Sequence, residues 1–261
     1  MVCADCTKGN VHSGTPVGKE ITISGLQSYV TGDENSNRVV VFGTDVFGWR
    51  LPNVRLLADE YADKNFWVVV PDLFDGRELP QWTLTATEDT DTPTWKQKFQ
   101  YPFFIFSVIS FALRNQKASQ EAKITGLLSH LRQTRPDAKI GMVGFCWGGR
   151  FAITLNHLFD ATAVAHPSQV KFPDELRGVT NPISFAVADA DKQFDSKRAD
   201  ETRALLKIKG LKDFEVVVYK GVQHGWTVRT DLTNAEKKAK RDQARDQALN
   251  WFAKYLTVDP T

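Results

Sequence analysis

The sequence is poor in the features that would place it outside the cell or in a membrane. Three cysteines in 261 residues cannot build the disulfide framework of a secreted scaffold. The first twenty residues hold no apolar run of signal-peptide type. The longest apolar stretch, residues 102–113, is about 12 residues, whereas a bilayer span needs ~20. That stretch is expected to form a buried or pocket-lining helix. These absences predict a cytoplasmic protein with no membrane partner. An excess of one charge is also lacking: 33 Lys and Arg against 31 Asp and Glu leave a net charge of +2, so no nucleic-acid partner is expected. The basic residues 236–245 are interleaved with Asp242 and read as a solvated helix face. No repeat and no linker-like break appears, so residues 1–261 are expected to form a single domain.

Metal-ligand spacing is lacking as well. Cys3-x-x-Cys6, with His12 nearby, has no second ligand pair for zinc, and it does not open a helix after a strand as a redox pair would. The pair reads as part of an ordinary N-terminal segment. No metal and no cofactor is expected.

What the chain does have is alternation. Residues 21–30, Arg38–Gly43, 66–70, Lys139–Phe145, Ala161–Ala165, Ile183–Ala188 and Phe214–Tyr219 read as strands, several rich in β-branched residues. Residues 52–64, 99–133, 148–159 and 234–256 read as helices. Residues 77–98 are polar, rich in Thr and without period, and are expected to form an excursion or lid. Strands alternating with helices predict an α/β fold, a mainly parallel central sheet with helices on both faces. In such sheets, sites form at the carboxyl ends of the strands.

There the sequence is most specific. Gly144-Phe145-Cys146-Trp147-Gly148 follows an apolar strand and precedes a helix. It is the nucleophile-elbow pattern G-x-S-x-G with cysteine in place of serine. An α/β-hydrolase elbow is followed along the chain by an acid and then a histidine, each after a later strand. Residues 183–188 run into Asp189-Ala190-Asp191, and residues 214–219 lead to His224. Asp191 is the favoured acid, with Asp189 and Asp195 as alternatives. The loop after the strand Arg38–Gly43 would supply the second oxyanion donor. The backbone N–H groups of Val46 and Trp147 are therefore the expected pair.

Asp45-Val46-Phe47-Gly48, Val70-Pro71-Asp72-Leu73-Phe74, the cysteine elbow and His224-Gly225-Trp226-Thr227-Val228-Arg229 together resemble the dienelactone hydrolase family. The resemblance runs from about residue 20 to 256. It implies a Cys146-Asp191-His224 triad that hydrolyses a small-molecule lactone or ester through a thioester acyl-enzyme. It implies that Asp45, where the family has glutamate, helps ionise the cysteine. It also implies arginines that hold a substrate carboxylate, with Arg229 and Arg77 as candidates. His166, at the end of the strand after the elbow helix, is expected to line the pocket. The aromatic residues Trp82, Trp95, Tyr101, Phe103, Phe104, Phe106 and Phe111 are expected to pack in the core or to cap the site. The expected enzyme cleaves a lactone, an activated ester or a thioester and is a monomer or homodimer. The alternative is a catalytically silent hydrolase-fold protein that binds a small ligand or a partner.

Overall fold

A computed structural model of the protein describes residues 4–86 and 95–257. Among them, eight strands form one sheet: β1 (Lys19–Ile23), β2 (Leu26–Thr31), β3 (Arg38–Gly43), β4 (Trp67–Pro71), β5 (Lys139–Phe145), β6 (Ala161–Ala165), β7 (Ile183–Ala188) and β8 (Phe214–Tyr219). Their spatial order is β1-β2-β4-β3-β5-β6-β7-β8. β2 pairs antiparallel with β1 and β4, and all other neighbours are parallel. β4, β6 and β7 are buried along their whole length, as expected of parallel strands covered on both faces, and this explains their unbroken apolar sequences. A sheet of this order with a nucleophile elbow after β5 is the α/β-hydrolase fold.

The helices are α1 (Pro52–Ala62), α2 (Thr83–Ala86), α3 (Trp95–Arg114), α4 (Lys117–Thr134), α5 (Trp147–Thr154), α6 (Ser196–Ile208), α7 (Trp226–Arg229) and α8 (Ala235–Tyr255). Local chemistry sets their ends. Pro52 opens α1, the Asp195 carboxylate accepts the Arg198 N–H at the start of α6, and Asn234 does the same for Lys237 in α8. Phe252 of α8 packs over β5 so closely that a Cβ on Gly141 would lie 2.7 Å from its ring.

Two sequence expectations need correction. Residues 21–30 are not one strand: Ser24 and Gly25 both take positive φ (52° and 78°) and fold the segment into the β1–β2 hairpin. Residues 102–113 are helical within α3 but are not core over most of their length. Phe103 and Phe106 are exposed, as are Phe99 and Tyr101 just before. Phe111 is buried, its ring 5.0 Å from that of Phe74 and 6.1 Å from that of Trp147. Of the expected excursion, residues 87–94 lie outside the described ones.

The N-terminal segment crosses the carboxyl end of the sheet. After a 3-10 turn at Ala4–Thr7, Asn10 donates its N–H to the Arg229 carbonyl and accepts from the Asn53 amide. His12 then donates its N–H to Asn53 Oδ1, while its ring nitrogen Nε2 lies 2.8 Å from the Thr230 carbonyl oxygen. Residues 4–12 are thereby fastened to α1 and α7.

Candidate active site

Cys146 sits between β5 and α5 with φ 51° and ψ −111°, a conformation costing about 1–3 kcal/mol. The surroundings hold it there. Its N–H donates to the Ala165 carbonyl and its own carbonyl accepts from the N–H groups of Ser168 and Gly149. The Gly148 N–H donates to Thr44 O at 3.0 Å, which ties the elbow to the loop after β3. The flanking glycines are sterically required. A Cβ on Gly144 would lie 2.4 Å from the Gly148 carbonyl oxygen, and one on Gly148 would lie 2.1 Å from that of Gly43. The Cys146 side chain is fully buried, with Ser168 Oγ 3.7 Å from its sulfur. α5 begins immediately after it, so the first N–H groups of that helix and its positive dipole end face this region.

His224 follows β8 and is held from behind. Its Nδ1–H donates to Asp191 Oδ2 at 2.7 Å, with both side chains fully buried. Asp191 Oδ1 accepts the Gln193 N–H at 2.8 Å, which fixes the carboxylate. The competing acids are occupied elsewhere. Asp189 accepts the N–H of Gly221, tying the loops after β7 and β8, and Asp195 caps α6. Nε2 of His224 makes no hydrogen bond of normal geometry. A ring nitrogen of His224, Cys146 Sγ and Cys6 Sγ all lie within 4.8 Å of one another.

The electrostatics couple the two chemical groups. Burial pushes the Cys146 thiol up, but a hydrogen bond from Cys6 and the charges of His224 and Arg229 outweigh it and bring the thiol well below its ordinary value. Burial pushes His224 down, but the thiolate of Cys146 and the Asp191 carboxylate raise it well above an ordinary imidazole. Both shifts run toward a thiolate–imidazolium pair. His166 differs: burial and the neighbouring His224 charge hold it neutral, and its Nε2 lies 2.7 Å from Thr227 Oγ1. Its ring centroid is 5.0 Å from that of His224, so it borders the candidate site.

Asp45 is buried in the loop after β3. One carboxylate oxygen accepts the Phe47 N–H at 3.0 Å and the other pairs with the guanidinium of Arg229, also buried. Burial raises the Asp45 carboxyl, Arg229 opposes that rise, and a thiolate at Cys146 adds to it, which places the acid within electrostatic reach of the sulfur. Arg229 also donates to the carbonyls of Lys8 and Cys6. Its guanidinium is therefore engaged on several sides. The other arginine singled out in the sequence, Arg77, is exposed in the loop after β4. Val46 is fixed by its carbonyl, which accepts the Leu79 N–H at 2.8 Å, and Trp147 by its ring, 4.9 Å from Phe74 and 4.5 Å from Phe151.

Two residues at this place were not singled out for it in the sequence. Ser168 carried no motif. Cys6 was read with Cys3 and His12, whereas its thiol meets Cys146, far away in the chain; Cys3 lies outside the described residues. The available signal for Cys6 was its residue type alone, because only the fold brings residue 6 to the elbow.

The model of the dienelactone hydrolase family matches residues 26–256. The chain is 28% identical over 257 residues to the hydrolase TropI of Talaromyces stipitatus, covering 96% of this chain and 95% of that one. It is 26% identical over 246 residues to the human carboxymethylenebutenolidase homolog, covering 92% of each. The crystal structure of a dienelactone hydrolase from Anabaena variabilis aligns with a TM-score of 0.60 at 14% identity, over 94% of this chain and 100% of that one. With a family match that spans nearly the whole chain, from β2 to the end of α8, the protein belongs to the dienelactone hydrolase family.

Proposed function

We propose that the protein hydrolyses a small lactone, activated ester or thioester through a thioester formed on Cys146. The observation that carries this reading is the buried cluster of Cys146 on its strained elbow, His224 within reach of the sulfur, and Asp191 2.7 Å behind the histidine. A cysteine kept as thiolate beside an oriented imidazolium is a nucleophile with its general acid already in place.

The thiolate of Cys146 attacks the carbonyl carbon, and the resulting oxyanion lies against the N–H groups of Val46 and Trp147. In other enzymes, removing one such donor costs about 2.7–4 kcal/mol. The tetrahedral adduct collapses by breaking the C–O or C–S bond to the leaving group, which takes the proton from His224. Water then gives a proton to His224 as its oxygen attacks the thioester carbonyl, and collapse of this second adduct releases the acid and restores Cys146. Asp191 keeps Nδ1–H engaged, so Nε2 does the proton transfer in both halves. Where substrate binding returns the shared proton to the sulfur, Asp45 takes it up to free the thiolate, and the leaving group then takes that same proton. A thiolate of depressed basicity is itself easily expelled from the first adduct. The enzyme therefore favours substrates whose alcohol leaves well, such as enol lactones and aryl esters.

His166 borders the acyl group, and a carboxylate-bearing substrate reaches Arg229 only by displacing part of its present partnership with Asp45 and the N-terminal carbonyls. A crevice of about 200 Å³ between Lys8–Asn10 and the loop after β8 reaches His224. Cys146 lies deeper and is fully covered, so substrate reaches the sulfur when part of this shell opens.

Acid quenching of the protein during turnover of a p-nitrophenyl ester tests the reading. The expected product is an acyl adduct on the peptide that contains Cys146. Turnover with an adduct on another residue, or with no adduct under conditions where deacylation limits the rate, contradicts it.

A further inference from the structure

Cys6 brings to the elbow a second sulfur that forms no bond to substrate in the hydrolytic steps. We propose that Cys6, Cys146 and His224 form a site for one soft divalent cation of the zinc class, and that its occupation silences the nucleophile. The second half of this statement rests on the hydrolytic reading above; the first does not.

The geometry comes close to a ligand set. The three donor atoms lie within 4.8 Å of one another and all three residues are buried. In tetrahedral zinc coordination, with bonds of about 2.3 Å to sulfur and 2.0–2.1 Å to nitrogen, neighbouring ligand atoms are roughly 3.4–3.8 Å apart. The cluster therefore has to contract by at most about 1 Å. Two thiolates and an imidazole select zinc or cadmium over magnesium or calcium, and three protein ligands leave a fourth position for water.

The cluster has the supporting contacts that such sites need. Asp191 occupies Nδ1 of His224, the carboxylate–histidine arrangement that orients a metal-binding imidazole. Nε2 is left fully buried without a hydrogen bond of normal geometry, as the nitrogen free to ligate. Cys6 is not a stray terminal residue. Its carbonyl is held by Arg229, and Asn10, four residues on, is tied to both Arg229 and Asn53. The nearby cation of Arg229 is already paired with Asp45, so two thiolates remain to balance the two charges of the ion.

Zinc binds thiolate sulfur and unprotonated imidazole nitrogen, so its binding displaces protons from the cluster and its affinity rises with pH.

The test uses the reduced, chelator-treated protein titrated with zinc chloride against a chromophoric chelator, with proton release followed in weak buffer. One zinc per chain, bound with release of protons, is expected. Cys6→Ser and its companion Cys6→Ala, each checked for an unchanged circular dichroism spectrum, should bind at least 100-fold more weakly. Cobalt(II) should give a thiolate-to-cobalt charge-transfer band in the unmodified protein that weakens in both variants. Equal affinity in the unmodified protein and both Cys6 variants overturns the site. These readouts register metal rather than turnover, so they decide the site even if no ester proves to be a substrate. Where an ester is turned over, hydrolysis should stop at one zinc per chain and return on chelation. Undiminished turnover at full occupancy overturns the silencing.

Discussion

The Nδ1–H of His224 donates to Asp191 Oδ2 at 2.7 Å, while Asp189, two residues earlier, accepts the backbone N–H of Gly221. One loop thus carries two acids with different tasks. Asp191→Asn keeps the size of the side chain but can present its amide N–H to the ring and favour the wrong tautomer. It should lower kcat by about 10³–10⁴-fold, as the equivalent change does in a serine triad. Asp189→Asn keeps an acceptor for Gly221 and should leave kcat within about twofold. Steady-state hydrolysis of an aryl ester by both variants checks the assignment, and a larger loss in Asp189→Asn would refute it.

The two histidines at the site should separate in the same way. His224→Ala removes the acid and base of both half-reactions and should cost about 10³-fold or more in kcat. His166 is held neutral by burial and bonded to Thr227, so His166→Ala should instead change the ranking of substrates by acyl group and lower the melting temperature. Rates measured over a series of aryl esters of increasing acyl size, with thermal melts, separate the two. The opposite order of kcat loss would mean that the roles are exchanged.

Much of this was legible in the sequence because the elbow is local. Its glycines, its cysteine and the strand–turn–helix context lie within about ten residues, and the steric reason for Gly144 and Gly148 is visible in the 2.4 and 2.1 Å contacts that a Cβ would make. The contact of Asp191 with His224 was legible because each lies just beyond a strand of the parallel sheet. What the sequence hid is long-range or context-dependent. The Ser24–Gly25 turn lacks the usual Asn-Gly signature, so a hairpin read as one strand. The aromatic run of α3 looks like core, yet most of its rings point to solvent, because composition reports apolarity and not the face that a helix buries. The meeting of Cys6 with Cys146 and the pairing of Asp45 with Arg229 depend on contacts between segments more than 100 residues apart, for which spacing carries no signal.

The Asp45–Arg229 pair makes a prediction about pH. Burial raises the Cys146 thiol, but the Cys6 hydrogen bond and the positive charges of His224 and Arg229 bring it well below the ordinary value. Because only thiolate is alkylated, the rate of labelling by iodoacetamide should reach half its plateau well below the ordinary thiol value of about 8.5. Asp45→Asn removes a negative charge near the sulfur and leaves the charge of Arg229 uncompensated, which favours the thiolate further. Labelling at neutral pH should become faster, while acylation by substrate should slow as the proton acceptor is lost. Stability should fall by about 3–5 kcal/mol, since half of a buried ion pair is removed. Labelling and acylation rates that both match the unmodified protein would reduce Asp45 to the acceptor of the Phe47 N–H.

The most direct measurement is the turnover of Cys146→Ala. The site accepts a smaller side chain without new contacts, so the variant should fold, and circular dichroism should show an unchanged spectrum. Hydrolysis of an aryl ester or enol lactone should fall by about 10³-fold or more, because the elbow then presents no nucleophile. A folded Cys146→Ala protein that retains activity within about tenfold, a barrier change of only ~1.4 kcal/mol, would contradict the account.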